Sequence, residues 1–496
     1  MQLSNGDGLR KYLPATIPGG VAVFDFDGDG FLDLFFPNGG DLPGGVKTQP
    51  LHANRLFRNL GGLRFADVTS RAGLAGKDYN FGAAAGDYDA DGHPDLLVTG
   101  LHGVTLWRNR GDGTFLDVTA QAGIDNLGRW AVAAAWIDKD NDGDLDLFVT
   151  NYVQWTPESE RECLVNGKPD FCHPRYYPPS PNALFENRGN GTFIDVSTES
   201  RIAAHLGKGM SAVAADFDGN GFTDLFVTND RAFNFLFLNR DGRSFEEAAL
   251  AWNVAAPRDG NPASGMGADA QDIDNDGRPD LIYTALRDET FPLYRNRGGE
   301  SFEEITAASR LSVLTRPMAG WGVVLADLDN VGAKDIVVAR SDALSPTGGH
   351  GASAKEPPSW LRNLGGGQFA PGEGWNHLPK EMYRGILAAD FDNNGCLDIV
   401  LTALNSQPRL LRNPCAPGMN WLKIEPLPAG TRVRVDSQWR VAGSAAGYAS
   451  SYLGPLHFGL GSAREVSEVE VHWPGSGGGK KRLRNVAANR TLKIEP

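Results

Sequence analysis

The stretch "DFDGDGFLD", residues 25–33, sets Asp25, Asp27, Asp29 and Asp33 in one short segment, with a glycine after the third acid. Carboxylates this close repel one another at neutral pH unless a positive charge lies between them. A hard divalent cation suits them, because calcium takes six to eight oxygen ligands in a forgiving geometry. In a strand-loop-strand turn of the form D-x-D-x-D-G-x-x-D, side chains one, three, five and nine converge. The carbonyl of position seven adds a ligand, and the glycine permits the sharp turn. An EF-hand is excluded, since it needs glutamate at position twelve, where these loops carry Phe36, Val98, Val149, Val227 and Tyr283.

The pattern returns seven times, from Asp25, Asp87, Asp138, Asp216, Asp272, Asp327 and Asp390, at spacings of 62, 51, 78, 56, 55 and 63 residues. Small apolar residues precede each copy and a short apolar strand such as "LLVTG" follows. A second signature comes next: "LFRN" (56–59), "LWRN" (106–109), "LFEN" (184–187), "LFLN" (236–239), "LYRN" (293–296), "WLRN" (360–363) and "LLRN" (410–413). A glycine turn then leads to a last strand, as in "GDGTFLDVT". Four strands per unit, repeated seven times, predict an all-β, seven-bladed β-propeller followed by a small C-terminal β-domain. The aspartate turn and the glycine turn fall on one face of the disc. The longest insertions, 38–54, 151–182 and 340–359, fall on the other.

Composition agrees. The 62 glycines and 30 prolines in 496 residues suit short strands and turns, and the length asks for several domains or repeats. No run of eighteen apolar residues offers a membrane span. The net charge of −14 argues against nucleic acid. No basic-apolar-small leader opens the chain, so any signal peptide has been removed or was never there; the expected localisation, which the cysteines below support, is secreted or periplasmic.

These repeats resemble the FG-GAP/VCBS family of integrin-like propellers. More narrowly, "GGVAVFDFDGDGFLDLFFPNGG" (19–40), "GDGTFLDVTAQAGI" (111–124) and "LHFGLG…VEVHWPGSG" (456–477) resemble the cartilage acidic protein family, whose members end in an ASPIC/UnbV domain. The resemblance implies a propeller over 1–414 and an ASPIC/UnbV-like domain over 415–496. Two departures stand out: the outer strand expected before the first inner strand is missing, and the start of the last domain is shortened to "LPAGTRVRV". Ring closure is therefore expected to use either the N-terminal residues or part of the C-terminal domain as the missing outer strand.

The expected calcium ligands, with position seven through its carbonyl, are Asp25, Asp27, Asp29, Phe31 and Asp33 in the first loop and Asp87, Asp89, Asp91, His93 and Asp95 in the second. The third offers Asp138, Asp140, Asp142, Asp144 and Asp146, and the fourth Asp216, Asp218, Asn220, Phe222 and Asp224. The fifth offers Asp272, Asp274, Asp276, Arg278 and Asp280. Asp327, Asp329 and Asp335 remain in the sixth, where Val331 brings no oxygen and makes that site the weakest. Asp390, Asp392, Asn394, Cys396 and Asp398 form the seventh. Seven divalent ions would carry 14 positive charges, matching the chain's acidity.

The four cysteines fall into two local pairs, Cys163 with Cys172 inside the third-blade insertion and Cys396 with Cys415 on one face of the seventh blade. Two disulfides are expected, and with them an oxidising compartment. Zinc on Cys163, Cys172 and His173 is the competing reading. No G-x-S-x-G elbow, H-E-x-x-H, P-loop or C-x-x-C occurs. His457 reads as a strand residue and "KKRLR" (480–484) as a solvated hairpin turn.

Six to nine residues before each aspartate loop lies the entry to an inner strand, at the funnel mouth opposite the calcium face. Arg129, Trp130, Lys208, Trp321, Tyr383 and Arg384 gather there and are the expected ligand-binding residues, the alternative being that these side chains simply plug the funnel. Five positions before each loop stand Gly20, Gly82, Ala133, Ser211, Gly267, Gly322 and Gly385, small enough to let the inner strands crowd the axis. The expected function is a monomeric calcium-binding module for a protein or an anionic glycan. The alternative is an enzyme on the same scaffold, lyase- or dehydratase-like, or a tailoring role in natural-product biosynthesis as for UnbV-like proteins.

Overall fold

The computed structural model describes residues 1–496 apart from 7, 9, 299–300, 343–353, 376, 444, 475–478 and 496. The middle of the third expected insertion lies outside the described residues. The fold is all-β, a series of repeated sheets. The second to sixth repeats each form a four-stranded antiparallel sheet, and the first contributes four strands to a larger one. In the second repeat the order is Asn80–Gly86, Asp95–Gly100, Gly103–Asn109 and Phe115–Asp117, with the aspartate loop joining the first two strands.

The asparagine that ends the third strand joins neighbouring repeats. Asn109 Nδ2 donates to Pro94 O of its own loop at 3.1 Å and to Phe26 O of the preceding repeat at 2.8 Å. Asn187, Asn239, Asn296 and Asn413 reach Tyr88 O, Lys139 O, Phe217 O and Leu328 O in the same way. Asn59 of the first repeat reaches Phe391 O of the seventh at 2.9 Å. Val21, Val23, Leu34 and Phe36 share a core cluster with Leu387, Phe391, Val400 and Leu401, so the two ends of the repeat array pack together.

The seventh sheet has three strands, Tyr383–Ala389, Asp398–Ala403 and Arg409–Leu411. Among the described residues neither terminus adds an outer strand to it, contrary to expectation. The N-terminal residues meet the loop after its second strand, where Leu3 N donates to Ser406 O at 2.9 Å. The C-terminal domain enters at the opposite edge. Its segment Ser450–Leu453 runs parallel to the first inner strand, Ala22 opposite Ser451, and pairs back on Ala445–Ala446. This hairpin threads among the inner strands: Ala83 N donates to Ala449 O at 3.2 Å, Ala268 N to Gly447 O at 3.2 Å and Ser211 Oγ to Gly447 O at 2.7 Å. The small residues at the axis make room for it. A Cβ on Gly20 would meet Ala449 O at 2.0 Å and one on Gly82 would meet it at 2.6 Å.

The rest of the C-terminal region forms two sheets. Asn420–Ile424 pairs with Leu456–Gly461 and Arg490–Leu492, while Arg432–Val435, Gln438–Val441, Glu465–His472 and Lys480–Ala487 form the other. Leu422, Val433, Phe458, Val469 and Val471 fill the core between them. "KKRLR" lies in the last of these strands, paired along Glu465–His472, rather than in the turn expected of it.

Tyr448, at the tip of the axial hairpin, is fully buried; its hydroxyl donates to Ile17 O at 2.8 Å and its ring meets Trp321 edge-on at 5.1 Å. Tyr448→Ala is expected to cost about 3–5 kcal/mol, the range for emptying a large aromatic site. Denaturant unfolding of the full chain measures it.

Candidate functional site: the aspartate loops and the axial mouth

Each aspartate loop is shaped by its own backbone. The first aspartate accepts the N–H of the position-six glycine in all seven copies, for example Gly30 to Asp25 at 2.8 Å and Gly332 to Asp327 at 2.7 Å. Gly30 holds φ +84°, a left-handed conformation that glycine adopts without a Cβ clash. The ninth aspartate accepts the backbone N–H of the asparagine described above, as Asn59 to Asp33 at 2.7 Å and Asn109 to Asp95 at 2.7 Å. Loop and third strand are thereby tied together.

Three carboxylates converge in five of the seven loops. Oxygens of Asp25, Asp27 and Asp29 lie within 4.8 Å of one another, as do those of Asp87, Asp89 and Asp95, of Asp138, Asp140 and Asp146, of Asp216, Asp218 and Asp224, and of Asp272, Asp274 and Asp276. Asp89 Oδ1, Asp138 Oδ1 and Asp140 Oδ1 are buried without a hydrogen-bond donor. Orphaned acceptors facing other carboxylates fit a hard cation. No such convergence occurs in the sixth and seventh loops, although all their acids are among the described residues.

The sequence reading left out the protein's own cations. The arginine of the second signature reaches position three: Arg58 pairs with Asp27 at 2.6 Å, Arg108 with Asp89 at 2.7 Å, Arg295 with Asp274 at 2.8 Å and Arg362 with Asp329 at 2.8 Å. Where the signature reads "LFEN", Lys139 takes over, bonded to Asp140 at 2.7 Å and Glu186 at 2.9 Å. The loops' negative charge is therefore not left to metal alone. The signal was legible, since Arg precedes Asn in five of the seven copies.

Burial raises the ninth aspartates: Asp33 and Asp95 to about 8, Asp146, Asp280 and Asp335 to about 7, and Asp398 to about 6. His457, in the strand Leu456–Gly461, is buried against Gly395 O at 3.0 Å and its ring falls to about 4 by desolvation, so it stays neutral.

The axial mouth is not the open site expected from the sequence. Trp130, Trp321, Tyr383 and Arg384 are almost wholly buried, and Lys208 nearly so. The short helix Leu13–Thr16 and Tyr448 fill the funnel. Arg384 lies 3.7 Å over the Trp321 ring and donates to Thr16 O at 3.1 Å, and Trp130 stacks on Phe81 at 5.3 Å. Lys208 Nζ donates to Pro174 O at 3.0 Å. These side chains serve as a plug because two segments far apart in sequence converge on them; Arg129 alone of the six is half-exposed. Both disulfides form, Cys163–Cys172 at 2.04 Å and Cys396–Cys415 at 1.98 Å, so the zinc alternative falls with its two thiolates.

The disulfide-bridged insertion carries exposed cations. Arg161 and Arg175 lie 5.2 and 4.9 Å from the exposed Tyr176 ring. His173 is lowered by burial and then by the charges of Arg231, Arg175 and Lys208.

Repeated aspartate-loop sheets followed by a compact C-terminal β-unit define a β-propeller-like repeat protein. Residues 25–98, 87–149, 166–227, 216–283 and 272–338 match the FG-GAP-like repeat, and the chain belongs to that family; residues 426–496 match the ASPIC and UnbV family. Among curated proteins, cartilage acidic protein 1 of Homo sapiens is 26% identical over 385 residues, covering 73% of this chain and 53% of the human protein. That of Mus musculus is 24% identical over 498 residues, covering 96% of this chain and 64% of the mouse protein. The chain thus spans about half to two thirds of the length of these relatives. Among solved structures, an Agrocybe aegerita lectin described as recognising non-reducing terminal N-acetylglucosamine superposes with TM-score 0.43 at 18% identity, covering 72% of this chain and 79% of the lectin. Aleuria aurantia lectin superposes with TM-score 0.35 at 12% identity, covering 72% and 97%.

The raised ninth aspartates predict a pH effect. In the metal-free protein their folded pKa lies above the unfolded value, so their contribution to stability is complete below about pH 4 and is lost as pH rises through 6 to 8. A cation requires the ionised form. Calcium uptake is expected to release protons, and affinity to rise, between pH 6 and 8. Melting curves with chelator and with calcium from pH 5.5 to 8.5 check this: the chelated curve should fall with pH more steeply than the calcium curve.

Proposed function

We propose that the chain is a calcium-stabilised, seven-bladed β-propeller over 1–414 with its ASPIC/UnbV-like domain over 415–496, acting outside the cytoplasm as a binding module for an acidic peptide or anionic glycan. The calcium part is supported by the converging carboxylates and their donor-free oxygens, to which the carbonyls of Phe31, His93, Asp144, Phe222 and Arg278 would add a ligand. Two disulfides support an oxidising compartment.

The observation that carries the binding part is the Arg161, Arg175 and Tyr176 surface on an insertion fastened by Cys163–Cys172. A ring braced by two guanidinium groups presents an aromatic face and bidentate donors together, which suits a carboxylate-bearing sugar or an acidic side chain. The anionic-ligand surface is thus placed outside the plugged mouth.

Chelation is expected to lower the melting temperature reversibly, since each site at a hundredfold excess of calcium over its dissociation constant adds about 2.7 kcal/mol. Unchanged melting with no bound metal would remove the calcium reading. In a screen of uronate-containing glycans and acidic peptides at two salt concentrations, binding should weaken with salt. Arg175→Ala should cost a hit about 1.5–3 kcal/mol, the range for a charged hydrogen bond. Hits indifferent to both would move recognition to another surface.

A further inference from the structure

The seventh aspartate loop differs from the others in what lies against it. The strand Asn420–Ile424 of the C-terminal domain runs past it and presents Lys423. This lysine is buried; its Nζ donates to Asp390 Oδ2 at 2.6 Å and to Asn393 Oδ1 at 2.9 Å, and it sits 5.2 Å from the centre of the Trp421 ring. Among the described residues, no other loop has an ion pair on its first aspartate.

Two further features agree. Asn394 replaces the acid at position five, so the loop offers one negative charge fewer than the first, second and fifth and two fewer than the third. Asp390, Asp392 and Asp398 do not draw together as the acids of the first five loops do. A calcium ion on Asp390 would share a buried carboxylate with a buried ammonium. Like charges held on one largely buried carboxylate repel one another strongly.

We propose that the Lys423 ammonium is the resident cation of the seventh loop and takes the place of calcium there. This rests on the calcium reading of the first five loops. The consequence concerns the junction between the repeats and the C-terminal domain: an ion pair within the chain holds it, so chelation loosens the calcium loops and leaves this contact in place. Asp392 Oδ1 is buried without a donor, so the loop keeps an inward-facing oxygen for an ion once the ammonium is gone.

Native mass spectrometry in saturating calcium, together with calcium anomalous diffraction, tests this on the full chain. The wild type should show no peak in the seventh loop while the first five loops are filled. Lys423→Met should bind one ion more, located at Asp390 and Asp392, and Lys423→Arg should keep the wild-type number. A wild-type peak in the seventh loop, or a folded Lys423→Met chain with no added ion, would overturn the proposal while leaving the calcium reading intact. Ions absent from every loop would overturn that reading and this proposal with it. Should Lys423→Met fail to fold, the wild-type anomalous map decides alone.

Discussion

The asparagine closing the third strand in six of the seven repeats is the contact on which the array depends. Its backbone N–H holds the ninth aspartate of its own loop, and its side-chain amide spans the seam to the preceding repeat, as Asn109 does between Pro94 O and Phe26 O. Both carbonyls are otherwise left in a buried seam, where an unmade hydrogen bond costs about 1–3 kcal/mol. Asn59 makes the same bond to Phe391 O across more than three hundred residues. One residue type thus holds the loop in every repeat and, in six of the seven, also ties neighbouring sheets together. The carboxylate clusters can form because the loops are already held.

Closure uses a different principle. With only three strands in the seventh sheet, hydrogen bonding along an outer edge does not join the ends. Core packing of Val21 and Val23 on Leu387 and Val400 does so, reinforced from inside by the hairpin around Tyr448. That hairpin makes the C-terminal domain part of the interior rather than an appendage. It also explains why the funnel side chains are apolar or stacked: Trp321 receives Tyr448 on its edge and Arg384 on its face.

Electrostatics divides the loops into two kinds. The first five each gather three acids within 4.8 Å of one another. The last two meet cations of the C-terminal domain at their first aspartates. Lys423 meets Asp390 there, and buried Arg440 lies close enough to Asp327 to offset part of the rise that burial imposes on that acid. Cationic side chains inside an acidic repeat are one way to bind two domains face to face without an external ion.

Much of this was legible in the sequence. The period of the aspartate pattern, its glycine at position six and the "RN" signature fix the repeats, the loop conformation and the pairing of local cysteines, because each depends on residues within a few positions or one turn of one another. The burial of the funnel side chains was not legible, for a complementary reason. Trp130, Trp321, Tyr383 and Arg384 read as a mouth when only their own repeats are considered; whether a concave surface is open depends on what else fills it. Here the filling comes from Leu13–Thr16 and Ala445–Leu453, hundreds of residues apart. Lys423 is the same case, since its charge is unremarkable in the string and decisive only beside Asp390. Local patterns determined the elements and their repetition; long-range packing alone decided which side chains meet water, which meet a cation, and which become core.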